Sequence, residues 1–535
     1  MAEPERPEHS PAAGGEQRDV WATRFGVILA VTGSAVGLGN FLRFPSQAAQ
    51  YGDGDFMIPY IVAFLLLGLP IAWVEWSIGR YGGRNGYSSL AGMFFSFRKG
   101  RWLPYLGVLG VVLPLMIYTF YIYVVGWCLA YAWFYLTGTM EAGAAEQGGY
   151  AAFWQQFVGI HEDGYALLHA RPSQSPLLFV LIAFVLNFIL IYRGVSKGIE
   201  WFCRWAMPLL VVIAAIMVVR VLTLSPPADA PDRTVLAGLG AMWNPSAEAL
   251  LNPEIWLAAA GQVFFSLSVG FGVIATYASY MKPDDDVALS STTAAAGNGF
   301  AEVALAGMMI IPAAFIFLGP GIFDDPPGTF GMGFIALPEI FAAMPAGRWF
   351  GFLFFFLLFM AAMTSTISLL QPAIAFLEEG LGIGRKASVS LLGFITLIGA
   401  CFVMYFSAEL KAMDTIDFWM STVGLFVLGT VLVIIFGWVL GIDRGMSELT
   451  RGAEIPVPGL VRYLIKYVTP VFLLVVMCAW LWDKAWPRIS AIWQDGVVGL
   501  SFGLIVVAVV LFVLLIANAA KRWRQREREL TEVSP

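Results

Sequence analysis

GSAVGLGN, from Gly33 to Asn40, and SLSVGFG, from Ser266 to Gly272, each interrupt an apolar stretch long enough to cross a bilayer. Inside hydrocarbon an interrupted backbone survives only where protein or a cavity covers it, because lipid offers its N–H and C=O groups no partner. The two breaks fall in the first and sixth long apolar segments, at corresponding places in two halves of five segments each. That correspondence predicts inverted repeats and a binding site at membrane depth where the broken helices meet, the arrangement of a secondary transporter.

Composition agrees with that class. Of 535 residues, 59% are hydrophobic and only 13% charged. The expected fold is an all-α polytopic membrane protein of about twelve transmembrane helices, the first at 24–49, the fifth at 205–222, the eleventh at 467–483 and the last at 497–518, with a 5+5 inverted repeat, broken first and sixth helices and two extra helices. The chain divides accordingly into a flexible cytoplasmic tail (1–20), a first repeat (21–222), a second repeat with its outer loops (223–442), helices eleven and twelve (443–518) and a cytoplasmic C-terminal tail (519–535). With both termini inside, roughly three quarters of the 31 Lys and Arg fall on the cytoplasmic side, as the positive-inside rule requires. The expected location is a plasma membrane of the bacterial inner-membrane type, crossed many times. A net charge of −6 gives no reason to invoke nucleic acid.

Catalysis finds no support in the residues. His9, His161 and His169 lie in the tail and an outer loop, and neither an HExxH motif nor a phosphate-binding loop occurs. Cys128, Cys203, Cys401 and Cys478 sit in or beside apolar helices at spacings that match no disulfide framework or metal site. The chain is therefore not expected to be an enzyme.

Unwound helices present backbone N–H groups to an anion and C=O groups to a cation, and the half-helix dipoles favour the same signs. Gly37 and Gly39 let the backbone approach a carboxylate, Asn40 offers an oxygen to a hard cation, and Ser266, Ser268, Phe265 and Phe271 supply hydroxyls and apolar walls. Close packing by small residues is the bland alternative. In the eighth span, Ala361, Thr364 and Ser365 can present a carbonyl and two hydroxyls from one helix, although such hydroxyls also bond their own helix. Glu75 and Glu302 are acids within spans, where a charge is costly. Glu75 suits a structural role, holding the free N–H groups of a broken helix, and Glu302 compensates charge near a cation. Asn298, one turn before Glu302, shares its face. The loop containing PPGTFGMGFIALPEIF reads equally as a cap or as a plain connector.

WATRFGVILAVTGSAVGLGNFLRFP, GRYGG, GQVFFSLSVGFGVIATYASY and TSTISLLQP, in this order, resemble the neurotransmitter:sodium symporter family. The resemblance implies a Na⁺-coupled symporter of a small neutral, aliphatic amino acid, working by alternating access. A first Na⁺ would take the Ala35 carbonyl, Asn40, Ser266, Asn298 and the substrate carboxylate; a second would take carbonyls of Gly33, Val36 and Ala361 with Thr364 and Ser365. Substrate would contact Ser34, Ala35, Leu38, Gly39, Ile117, Tyr121, Phe265, Ser266, Ser268, Phe271, Ser365 and Leu369. Tyr121 and Phe265 with Arg43, Gln262 and Asp417 would form the outer gate, Arg43 pairing with Asp417. Arg18, Trp21 and Glu379 would form the inner one. Glu302 stands where chloride-independent members carry an acid, so no chloride is required, and proton antiport through it is left open. Dimerisation is left open too.

This chain departs from the family's bacterial pattern at Ser34 for Asn, Ile117 for Val, Leu369 for Ile, Ser266 for Thr and Glu379 for Asp. A proton-driven or ion-independent carrier of the same fold stands as the first alternative, and a substrate-sensing receptor or channel as the second.

Overall fold

The computed structural model describes residues 21–52, 54–97, 100–160, 166, 175–247 and 249–533, and among these the regular structure is helical without a strand. Arg18 and the N-terminal tail lie outside the described residues. The first span is a bent pair, α1 (Arg24–Ala35) and α2 (Gly39–Gln50), meeting at 47°. There follow α3 (Met57–Arg84), α4 (Leu103–Thr137), the shorter apolar α5 (Pro176–Tyr192) and α6 (Val195–Leu222). A second broken pair, α7 (Pro253–Ser266) and α8 (Val273–Ala278), precedes α9 (Val287–Leu318), α10 (Gly347–Leu381), α11 (Arg385–Tyr405) and α12 (Ala408–Thr450). The chain ends in α13 (460–494) and α14 (Gly496–Val533). Nine described helices are long and apolar enough to cross a membrane, and the bent first pair makes a tenth span.

Both interruptions have a backbone cause. α1 stops where Val36 turns extended, at φ −73° and ψ 98°. Between α7 and α8, Ser268, Gly270 and Gly272 take φ of 52°, 79° and 78°. Left-handed residues cannot continue a right-handed helix, and glycine takes that conformation without a Cβ clash.

α4 and α10 are each 89% buried across their most apolar windows, against 22% for α14, so the first two form the interior of the bundle and the last helix its rim. α4 carries apolar residues on every face because it is surrounded by other helices. Of the broken helices, α1 packs against α10 and also against α6 and α9, while α7 and α8 lie along α3.

Several boundaries differ from the sequence reading. α6 begins at Val195, ten residues before the expected 205, just after Gly194 at φ 86°. Helix eleven runs over 460–494 rather than 467–483. α14 continues as helix to Val533, so residues 519–533 extend the last span beyond its expected end at 518. It is rich in good helix formers, and Trp523, only 3% exposed, packs beside Tyr87 and Phe95 with ring centroids 5.4 and 5.3 Å away. The outer loop around PPGTFGMGFIALPEIF forms an apolar helix, Gly328–Ala343, with Phe334 packed edge-on against Trp127 and Tyr131.

At the Trp21 end of the bundle a buried charge ties three elements together. The guanidinium of Arg80, fully buried on α3, donates from Nε to Glu448 Oε1 at 2.8 Å and from its other nitrogens to the carbonyls of Asp285, Glu448 and Arg451. Arg84 holds the second oxygen of Glu448 at 2.9 Å. Removing one partner of such a pair leaves a desolvated charge, at a cost of about 3–5 kcal/mol. Arg80→Met is therefore expected to lower the thermal unfolding midpoint of the purified protein far more than Arg84→Met, whose side chain is 33% exposed. Equal effects would remove Arg80 from this role.

Candidate substrate and cation sites

The second break supplies the first geometric constraint. Glu75, fully buried on α3, accepts from the Gly270 N–H at 2.9 Å and the Gly272 N–H at 3.0 Å, one carboxylate oxygen to each. These are two of the N–H groups that the interruption frees from helical pairing. With Glu75 behind it, the loop turns Ser266 and Ser268 toward α1. The Ser268 hydroxyl donates to the Ser34 carbonyl at 3.2 Å.

Around the junction of α2, α7 and α9 lies a fully buried polar cluster. Asn40 Oδ1 accepts from the Gly37 N–H at 2.9 Å, while its Nδ2 donates to Asn298 Oδ1 at 2.9 Å and to Ser266 Oγ at 3.3 Å. Asn298 Nδ2 donates to Ser266 Oγ at 2.6 Å. Turned end for end, the Asn298 amide would place its oxygen against Ser266 Oγ and its nitrogen 3.3 Å from the carbonyls of Ala35 and Ser266. Two amides, a hydroxyl and the carbonyls of Ala35 and Ser266 thus meet in one cluster, whose oxygens are of the neutral type that suits a hard cation without a carboxylate.

Glu302 closes this cluster from behind. It accepts from Ser266 Oγ at 2.6 Å and from the Tyr60 hydroxyl and Gln262 Nε2. Ser266 Oγ has one proton and here gives it to the acid.

A second group of oxygens joins α1 to α10. Thr364 Oγ1 donates to the Ala361 carbonyl at 2.8 Å, and Ser365 Oγ lies 3.2 Å from the carbonyls of both Ala361 and Ser34. A methyl group on Gly33 would come within 3.3 Å of the Thr364 side chain, so the carbonyl-bearing end of α1 passes directly over these hydroxyls. Val36 is the next residue in the extended turn. Among the described residues no group of three or more His, Cys, Asp and Glu forms, so the polar chemistry here is that of neutral oxygens.

Between the two groups lies a cavity of about 40 Å³, lined by Ser34, Ala35, Gly37, Gly39, Ile117, Phe120, Tyr121, Phe265, Ser268, Phe271, Val273, Ser365, Leu369 and Ser421. Ten of the twelve residues expected from sequence to touch substrate are among them. Leu38 and Ser266 are not. Leu38 turns its buried side chain into the core and gives its N–H to the Tyr121 hydroxyl at 3.3 Å, and Ser266 faces the Asn40 cluster. Gly37, Phe120, Val273 and Ser421 were absent from the expected substrate contacts. Gly37 was legible as a backbone approach, whereas Ser421 reaches the wall on a wide π-type turn of α12 that leaves no clear mark in the sequence.

The outer gate differs from its expected pairing. Arg43 makes no direct ion pair with Asp417. Its guanidinium instead lies 4.8 Å over the Phe265 ring, a cation–π contact, and reaches the Gly261 carbonyl at 3.5 Å. Gln262 Nε2 contacts the Gly39 carbonyl at 3.3 Å. At the other end, Trp21 is buried, donates from its indole to the Tyr277 carbonyl at 2.8 Å and packs edge-on to that ring at 5.1 Å. Glu379 accepts from the Ser88 N–H at 2.5 Å, the Ser89 N–H at 3.2 Å and the Ser89 hydroxyl, holding in place the serine that caps the short helix Leu90–Ser96. Its expected partner Arg18 lies outside the described residues.

The sequence pattern of the Sodium:neurotransmitter symporter family matches residues 18–148 and 150–522. The chain belongs to that family. Among its relatives are a sodium-dependent transporter of Methanocaldococcus jannaschii, 29% identical over 86% of this chain and 90% of its own length, and the sodium-dependent serotonin transporter of Drosophila melanogaster, 27% identical over 86% of this chain and 76% of its own. The crystal structure of MhsT in complex with L-phenylalanine superposes with a TM-score of 0.73 at 30% identity, covering 86% of this chain and all of that one. Membership makes this protein a multi-pass sodium-dependent transporter and not an enzyme.

In this symporter Gly37 admits the tightest approach to the cavity. A Cβ there would stand 2.7 Å from Ser365 Oγ and 3.0 Å from the Tyr121 hydroxyl, both cavity-lining groups. Gly37→Ala is expected to reduce Na⁺-driven uptake at least about tenfold while the protein still purifies as a monodisperse species, since overpacking of this size costs about 1–3 kcal/mol. Uptake within twofold of the unmodified protein would show that Gly37 does not limit the site.

Proposed function

We propose that this protein is a Na⁺-coupled symporter that imports a neutral, aliphatic amino acid across a plasma membrane of the bacterial inner-membrane type, with both termini cytoplasmic. The observation that carries the reading is the placement of one small cavity between two oxygen clusters at the α1–α2 break. Apolar walls from Ile117, Phe120, Phe265, Phe271 and Leu369 favour an uncharged side chain. The amino acid bound in MhsT supports an amino-acid ligand.

Asn40, Ser266, Asn298 and the Ala35 carbonyl would hold one Na⁺, and Gly33, Val36, Ala361, Thr364 and Ser365 a second. Bound ions would supply positive charge where substrate presents its carboxylate, against backbone N–H groups at the break. On the protein's side, Tyr121 and Leu38 orient the carboxylate end, while Ser34, Ala35, Phe265 and Ser268 offer oxygens to the ammonium. Thr364 and Ser365 fasten α1 to α10, so that ligand occupancy favours the joined arrangement over the separated one. Trp21 with Tyr277 blocks one end of this path and Phe265 with Arg43 narrows the other, which suits alternating access.

Glu302 supplies a fixed negative group next to the first cluster, which supports transport without chloride. A proton-driven carrier would have no use for paired hydroxyls on α10, and a channel would need a continuous pore where this cavity is small.

Proteoliposomes given an inward Na⁺ gradient are expected to accumulate labelled alanine or leucine, to lose that uptake when K⁺ replaces Na⁺, and to keep it when gluconate replaces chloride. Saturable uptake indifferent to Na⁺ would overturn both cation sites. Glu302→Ser is expected to make uptake chloride-dependent; equal activity with and without chloride would refute the charge-substituting role of the acid.

A further inference from the structure

α5 reads PLLFVLIAFVLNFILIY, and apart from its terminal tyrosine it has one polar side chain, Asn187. A polar residue at membrane depth is costly unless partnered, and it marks a constraint. Asn187 is fully buried and spans the gap between two other helices. Its Oδ1 accepts from the Tyr118 hydroxyl on α4 at 3.2 Å; its Nδ2 donates to Thr366 Oγ1 on α10 at 2.5 Å and approaches the sulfur of Met363 at 3.7 Å.

Both partners sit next to residues of the site but face away from it. Tyr118 follows Ile117 and precedes Tyr121 by less than one turn. Ile117 and Tyr121 line the cavity, whereas Tyr118 points backward between Phe184 and Phe188, at 6.3 and 6.2 Å. Thr366 directly follows Thr364 and Ser365, and its hydroxyl lies 3.1 and 3.0 Å from the Ala362 and Met363 carbonyls of its own helix. It can donate to one of these while a lone pair accepts from Asn187. One amide therefore ties together the two most deeply buried spans, α4 and α10, from behind the wall of the cavity.

We propose that Asn187 is a positioning residue for the second cation site: through Thr366 it sets the height and rotation of the Thr364 and Ser365 hydroxyls relative to α1, and through Tyr118 it holds α4 in the same frame. This rests on the reading of Thr364 and Ser365 as Na⁺ ligands. A bundle glue would behave differently. An average interhelical hydrogen bond in a membrane contributes little to stability and has no ion dependence of its own, whereas ligand geometry governs affinity directly.

The test is equilibrium binding of radioactive Na⁺ to the purified full-length protein without amino acid, because the first cluster needs the substrate carboxylate to be complete. The unmodified protein should bind saturably. Asn187→Leu and Thr366→Val should each raise the half-saturating Na⁺ concentration by about 3- to 10-fold. Tyr118→Phe, which removes a single oxygen and should leave folding intact, is expected to shift it by a smaller factor in the same direction. Asn187→Leu combined with Thr366→Val should shift it no further than Asn187→Leu alone, since both remove one interaction. Lowered thermal midpoints with unchanged half-saturation in all variants would reduce Asn187 to packing and overturn the proposal. Absence of saturable Na⁺ binding by the unmodified protein would instead remove the cation site itself, and the proposal with it.

Discussion

A peptide N–H that has lost its helical acceptor inside a membrane must find another, and Glu75 provides one twice. By accepting from Gly270 and Gly272, the carboxylate makes the interruption between α7 and α8 a fixed loop rather than a frayed end. The loop in turn aims Ser266 at the Asn40 cluster and Ser268 at the Ser34 carbonyl, so that the cavity and the Asn40 cluster both depend on one buried acid. An acid in this position is tolerable because its charge is met by backbone dipoles in fixed directions.

Two further buried charges obey the same rule with different partners. Arg80 is met by a carboxylate and three carbonyls, and Glu302 by two hydroxyls and an amide. Toward the cavity, by contrast, the protein presents neutral oxygens: hydroxyls, amides and main-chain carbonyls. Such groups can exchange their mutual hydrogen bonds for a cation without stranding a charge when the cation departs. Reversible binding at membrane depth favours that choice over a cage of carboxylates.

Much of this was legible in the residues. Two glycine-broken segments marked the first and sixth spans because their backbone conformation is local: φ near +80° at Gly270 and Gly272 needs no knowledge of neighbours. Glu75 was readable as a helix-break support since an acid within an apolar run demands a partner. What depends on helix rotation was not readable. Ser421 reaches the cavity through a π-type turn in α12, and Leu38 faces the core although its neighbours line the pocket. Asn187 could be seen as the lone polar residue of its helix, but not which helices it joins. The C-terminal extension of α14 is set by docking of Trp523 on aromatic rings more than four hundred residues away in sequence, a contact no local pattern announces.

Ser266 carries one hydroxyl proton and stands between two demands. It lies 2.6 Å from Glu302 on one side and 2.6 Å from Asn298 on the other. The hydroxyl gives its proton to the acid and accepts from the Asn40 and Asn298 amides, so acid and amide cluster are joined through one oxygen and behave as one object. Their energetic contributions are not separable: a substitution that retunes the acid redirects the hydroxyl and so reshapes the amide cluster, and the reverse holds as well. Free energies measured for changes at Glu302 and at Asn298 will fail to add, and the size of that failure is the strength of the link between the protein's fixed charge and the place where a mobile one would sit.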